Sequence, residues 1–170
     1  MVVTNNPELN RTVRMLRDFG QERKYYHSLK GFNYRMDGMQ GAILRVKLRH
    51  LDAWTEARRS HAAHYDALLS GMSVERPWVR PGDRHVYHLY VVRSKDRERL
   101  AATLLKEGIH TGIHYPIPVH LQEAYADLGH RSGDFFEAER AASEVLSLPM
   151  YPELSRKDLE AVAAAVHRAL

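Results

Sequence analysis

The sequence predicts an α/β protein, and three observations support that fold class. Residues 85–92 alternate two faces, His85, Tyr87, Leu89 and Val91 against Val86, His88, Tyr90 and Val92, which is the period of a strand. A helical run over residues 94–107, capped by Ser94 and stopped by Gly108, leads into a second short strand at 109–114. Two more helices are signalled by Asp134 with Glu137 and by Ser155 with Asp158, each pair spaced as a capping box. Strand, helix, strand and two helices make a small α/β domain over residues 72–170.

The preceding half is read in order. Met1, Val2, Val3 and Thr4 look like the tail of a strand. Asn6 before Pro7 supplies an N-cap and a proline at the first helical position. Leu9, Val13 and Leu16 repeat at helical spacing, and Gly20 can close that helix in the left-handed conformation. Residues 21–34 break into a polar, tyrosine-rich loop. The longest element follows, with Met36, Met39, Ile43 and Val46 as one stripe and Leu44, Leu48 and Leu51 as a second. Trp54, Tyr65, Leu68 and Leu69 continue it, and only Gly38 and Gly41, near the start, weaken a helix over 37–69. About thirty residues rising 1.5 Å each span on the order of 45–50 Å. That exceeds what a small domain needs, so the helix is expected to bridge two domains or line a subunit interface. Gly71 ends it, and Pro77, Pro81 and Gly82 mark a connecting loop. The helix opened by Asp134 runs to about Leu146, and the last carries Leu159, Val162, Val166 and Leu170 on one side. The expected organisation is residues 1–35, a linking helix over 36–71, and the small domain over 72–170.

Hydrophobic residues at 44% and charged residues at 27% of a 170-residue chain fit a folded domain and argue against disorder. Cys is absent, which excludes disulfides, thiolate metal sites and a Cys nucleophile and fits a reducing compartment. No apolar run approaches the roughly 20 residues that span a bilayer, and no signal pattern opens the chain, so a cytoplasmic protein without a membrane partner is expected. A formal charge of +4 raises the question of nucleic acid. Arg45, Lys47, Arg49, Arg58 and Arg59 do gather on the long helix, but Lys47 lies off the Arg45–Arg49 face. Lys95-Asp96-Arg97-Glu98-Arg99 alternates in sign, as solvated helix faces do. No nucleic-acid partner is expected.

Two irregular segments are crowded with side chains a core does not use. In the first, Asn33 and Arg35 precede the long helix and can offer an amide and a guanidinium to an anion such as a phosphate. The same residues could instead cap a turn (Asn33) and pair with Asp37 (Arg35). In the second, Pro116 and Pro118 keep His114, Tyr115 and His120 extended, which suits hydrogen bonding to hydroxyls or a diphosphate. A partly buried His–Tyr pair is the competing interpretation. His110, His114 and His120 lack an intervening carboxylate and a shared helical face, so no metal site is expected. Nothing supplies a serine or carboxylate catalytic set.

Several motifs stand in a fixed order: Val2-Val3-Thr4-Asn5, Lys24-Tyr25-Tyr26-His27, and Gly31-Phe32-Asn33-Tyr34-Arg35-Met36-Asp37-Gly38-Met39-Gln40. Then come Tyr87-His88-Leu89-Tyr90-Val91-Val92-Arg93, Gly112-Ile113-His114-Tyr115-Pro116 through His120-Leu121-Gln122, and Leu146-Ser147-Leu148-Pro149-Met150-Tyr151-Pro152. Over essentially all 170 residues this order resembles the C-terminal portion of the DegT/DnrJ/EryC1/StrS sugar aminotransferases. The resemblance implies the C-terminal small domain of the aspartate-aminotransferase fold (PLP fold type I), a long linking helix, and the tail of the PLP-binding large domain at 1–35. It implies a homodimeric enzyme that transfers an amino group, with glutamate as donor, to a nucleotide-linked keto-sugar in polysaccharide or antibiotic sugar biosynthesis.

Site roles follow from the resemblance in the same way. Asn33 would cross the dimer interface to hydrogen-bond the phosphate of pyridoxal 5'-phosphate (PLP), with Arg35 as a second cofactor-binding residue. Tyr34, His114, Tyr115 and His120 would contact the sugar nucleotide. The family's PLP-anchoring lysine lies upstream of the strand that ends in the Val2-Val3-Thr4-Asn5 motif. Lys24, Lys30, Lys47, Lys95, Lys106 and Lys157 match no part of that lysine motif. The chain is therefore expected to be inactive alone and to work with a missing large domain. The alternatives are a non-catalytic dimerisation or regulatory module of the same family, or a basic nucleic-acid binder.

Overall fold

The computed structural model describes residues 2–170, which divide into two compact units, one ending at His50 and the other running Leu51–Leu170. Met1 lies outside the described residues.

In the first unit, helix α1 (Pro7–Leu16) starts as its sequence dictates. Asn6 Oδ1 accepts from the Glu8 and Leu9 amides at 2.9 and 3.1 Å, and Pro7 occupies the first turn. Its chain leaves through Gly20, whose φ of +72° lets the Gly20 amide donate back to Met15 O at 2.7 Å. A Cβ at Gly20 would sit 1.8 Å from Leu29 O, so the backbone crosses here at a distance only glycine permits. Where a loop is expected there is a short hairpin, β1 (Gln21–Arg23) with β2 (Tyr26–His27), turning at Tyr25 with φ +73°. Val2 to Thr4, expected as a strand tail, are not strand: an extended segment becomes one only when a ladder partner lies beside it, and none does among the described residues. Helix α2 (Gly38–Leu48) opens on a capping box, Asp37 accepting from Met39 N at 2.7 Å and Gln40 Oε1 from Asp37 N at 3.0 Å.

One helix over 37–69 is expected, and two are found. Helix α2 ends at Leu48, Arg49 and His50 form a turn with amide bonds to carbonyls three residues back, and α3 (Leu51–Leu68) begins. No glycine or proline marks this break; the backbone simply tightens from four- to three-residue hydrogen bonds.

The second unit holds the core. Strand β3 (Tyr90–Arg93) pairs antiparallel with β4 (Val145–Leu148), Tyr90 opposite Leu148 and Arg93 opposite Val145. Helices α3, α4 (Arg97–Lys106) and α6 (Arg156–Ala169) pack around this pair, burying Tyr65, Leu69, Tyr90, Leu100, Leu104, Leu146 and Leu159 among others. Two 3-10 turns, Val119–Leu121 and Glu123–Leu128, precede α5 (Phe136–Glu144).

Four expectations change here. The strand expected at 85–92 is only Tyr90–Arg93, since its partner offers four residues and Tyr87 takes φ +46°. The strand expected at 109–114 is a single bridge, Gly112 to Ser147. Asp96, not Ser94, caps α4 by accepting from Arg99 N at 3.3 Å. The Asp134–Glu137 box does not form, because Asp134 accepts from Arg131 N instead, and α5 gives way to β4 at Val145.

Candidate functional site

In the first unit the segment carrying Asn33 is pinned to the end of α1. Phe32 N donates to Leu16 O at 2.7 Å, Tyr34 N to Arg17 O at 2.8 Å, and Asp18 bridges to Asn33. Extended backbone sends alternate side chains to opposite faces. The Phe32 and Tyr34 rings accordingly stack at 5.2 Å, and Asn33 emerges on the other side. Its Oδ1 accepts from Arg35 Nε at 3.3 Å, and Arg35 Nη1 lies 2.9 Å from Asp18 Oδ1 in a charge contact rather than an aligned hydrogen bond. Arg35 thus pairs with Asp18, leaving Asp37 free to cap α2. With its oxygen engaged by a cation, the carboxamide keeps its nitrogen as a pure donor end. An exposed donor oriented in this way can meet an oxygen of an anion such as a phosphate.

In the second unit His114 Nδ1 lies 2.9 Å from the hydroxyl of Ser147, a buried residue of β4. Tyr115 follows across a cis peptide, its ring edge-on to His114 at 5.6 Å and 74% exposed. Phenol and imidazole are therefore adjacent, the first exposed and the second anchored at one end. His120 is placed differently. Its side chain is 9% exposed, its Nε2 lies 3.0 Å from Glu139 Oε1, and its ring packs on Phe135 at 4.7 Å. Glu139 also accepts from Gly133 N at 2.8 Å and the Ser132 hydroxyl at 2.9 Å. The Gly133 amide above all, with Ser132 and His120, holds the Glu139 carboxyl below its ordinary value against the opposing effect of burial.

Composition and spacing did not reveal Ser147, Glu139 or Asp18. Ser147 had a legible signal: one hydroxyl between Leu146 and Leu148 on a buried strand must find a partner. Glu139 and Asp18 had none, because each acts on a backbone or side chain brought to it by folding.

The model of the DegT/DnrJ/EryC1/StrS aminotransferase family matches residues 1–167. The chain belongs to that family. A similar relative is the "Pleiotropic regulatory protein" of Geobacillus stearothermophilus, 46% identical over 98% of this chain and 45% of that protein. The dTDP-3-amino-3,4,6-trideoxy-alpha-D-glucose transaminase of Streptomyces venezuelae is 44% identical over 97% of this chain and 44% of its own length. Among solved structures, S. venezuelae DesV in complex with a ketimine intermediate superimposes with a TM-score of 0.92 at 43% identity, over 98% of this chain and 45% of that one. The fold is therefore that of the C-terminal portion of the PLP-dependent sugar aminotransferases, and the chain spans under half the length of the relatives it matches.

Proposed function

We propose that this chain supplies the C-terminal part of a PLP-dependent aminotransferase that moves an amino group, with glutamate as donor, onto a keto-sugar carried by a nucleoside diphosphate. Residues 1–35 then belong to the large domain, 36–71 to the linking segment and 72–170 to the small domain. The observation that carries the proposal is Asn33, turned donor-outward by the Arg35–Asp18 pair within a family of sugar aminotransferases. The name of the S. venezuelae transaminase supports a dTDP-linked or similar sugar as substrate.

PLP, when bound, supplies the electron sink for the reacting carbon. The chain's own residues bind and orient. Asn33 donates to a phosphate oxygen of the cofactor held by the partner subunit of a homodimer, and Arg35 fixes the carboxamide. Tyr34 walls the same corner. His114 and Tyr115 donate to the sugar nucleotide, and His120, committed to Glu139, secures the segment that follows them. Transamination needs a lysine to anchor the cofactor and shuttle its proton. None of the six lysines here matches the family's lysine motif, so the rest of the enzyme provides it and this chain does not transaminate alone.

Mixed with a separately produced large domain and PLP, the chain is expected to restore the visible absorption of bound cofactor and turnover of glutamate with a keto-sugar. Turnover by the chain by itself would overturn the assignment. In the reassembled enzyme Asn33→Ala is expected to weaken PLP retention roughly tenfold or more, the loss of a hydrogen bond to a charged group. Unchanged retention would remove Asn33 from the site.

A second reading, a non-catalytic dimerisation module, is favoured by the exposed apolar side chains of α2, Met39, Ile43, Leu44, Val46 and Leu48. Binding to a full-length relative without any gain in cofactor retention would select it.

A further inference from the structure

Ser147 is a buried polar residue of β4, flanked by the core residues Leu146 and Leu148. Among the described residues its hydroxyl has one hydrogen-bond partner, His114 Nδ1 at 2.9 Å. A buried hydroxyl hydrogen without an acceptor costs about 1–3 kcal/mol. The hydroxyl therefore donates and Nδ1 accepts, which puts the proton of neutral His114 on Nε2.

The backbone fixes the distance over which this happens. Ser147 N donates to Gly112 O at 2.7 Å, and Gly112 N donates to Ser147 O at 3.1 Å. His114, two residues on, folds its ring back over Gly112, where a Cβ would lie 2.6 Å from its Cε1. The imidazole is thus held between a bare backbone and a buried hydroxyl, while His114 as a residue stays exposed.

We propose that Ser147 is a positioning residue for His114, selecting the Nε2–H tautomer so that the imidazole presents a hydrogen-bond donor, not a base, to an acceptor oxygen of the ligand. The ligand contact rests on the substrate-pocket reading above; the tautomer does not.

Two-bond nitrogen–proton correlation spectra of the ¹⁵N-labelled chain, recorded well above the ordinary histidine pKa, read the tautomer directly. Wild type is expected to show a pyridine-like Nδ1 and a pyrrole-like Nε2. Ser147→Ala is expected to lose that preference, and Ser147→Thr, which keeps the hydroxyl, to retain it. Gly112→Ala, which pushes the ring off the hydroxyl, gives the mixed signal by an independent route if Ser147→Ala does not fold. A proton on Nδ1 in wild type, or an unchanged tautomer in both Ser147→Ala and Gly112→Ala, overturns the proposal. In the reassembled enzyme Ser147→Ala is expected to raise KM for the nucleotide sugar about three- to tenfold, with cofactor absorption unchanged. An unchanged KM alongside an altered tautomer would remove His114 from the pocket while leaving the ring positioned by Ser147.

Discussion

Tyr90 is fully buried, yet its hydroxyl donates to Asp66 Oδ1 at 2.6 Å while its ring lies 4.9 Å from that of Tyr65. Burial first, and the Asp66 carboxylate second, push the phenol well above its ordinary value of 10.0, so it stays a neutral donor. Tyr90→Phe is expected to lower the stability of the second unit by about 1–3 kcal/mol, because Asp66 loses its donor while the packing is kept. Leu104→Ala, a truncation in the same core, is expected to cost about 2–5 kcal/mol. Urea unfolding of the three proteins ranks them, and a Tyr90→Phe midpoint equal to wild type would mean the hydroxyl contributes nothing. Glu139 gives a pH prediction of opposite character. Its folded pKa is depressed, mainly by the Gly133 amide. Its ties to Ser132, Gly133 and His120 are thus fully present above the unfolded carboxylate value, and they weaken as pH falls through the lower folded one. The Gly133 amide shift in an NMR titration is expected to stay constant down through the ordinary glutamate range and move only below it. Glu139→Gln is expected to move it at neutral pH.

Helix α6 shows what an element can announce in advance. Ser155 and Asp158 close the capping box their spacing predicts, Ser155 Oγ accepting from Asp158 N at 3.2 Å and donating to Asp158 Oδ2 at 2.6 Å. Ser155→Ala is expected to cost about 1 kcal/mol, read as a lower denaturant midpoint. The Ser155 hydroxyl holds the Asp158 carboxyl below its ordinary value, so the carboxylate's half of the box is fully present above the ordinary aspartate pKa and weakens as pH falls through the lower folded one. The cap at Asn6 and the left-handed turn at Gly20 were equally legible, because capping and turn chemistry are local, whereas Asp37 stood in the sequence only as a partner for Arg35 and proves to be a cap. What local pattern did not show was pairing at a distance. Val145–Leu148 continues a helical stripe on paper and is a strand only because Tyr90–Arg93 lies beside it. The Asp134 box failed for the converse reason: its carboxylate found the Arg131 amide first. The break at Arg49–His50 carries no residue that demands it. Of the candidate site, Asn33, Arg35, His114 and Tyr115 were named from the sequence and the need of Ser147 for a partner was readable from its two leucine neighbours, while Asp18 is known only from where folding puts it.

At the scale of the whole molecule the two units differ in how they treat their apolar surface. Every apolar side chain of the core belongs to the second unit; in the first, α1 and α2 bury none. Tyr25, Tyr34, Met36 and Met39 are each at least 66% exposed there, and Ile43, Leu44, Val46 and Leu48 follow along α2. A unit of about fifty residues with no core gains little from folding against itself, because burial is the term that opposes its chain entropy. Contiguous apolar surface on a folded chain marks a face that belongs against another one. The relatives extend over more than twice the matched length, so a protein surface of their remaining part is the expected cover. Without it, the chain is expected to self-associate, with a sedimentation coefficient that rises with concentration. Ile43→Glu with Leu44→Lys is expected to reduce that rise while leaving the second unit's urea midpoint unchanged. Limited proteolysis is expected to cut the first unit before the second, since local opening is easiest where few apolar contacts must break. Addition of the large domain is expected to suppress both the association and the cleavage. A chain that sediments as a monomer at all concentrations, and whose two units are cleaved at the same rate, would show that the apolar residues of α2 need no partner.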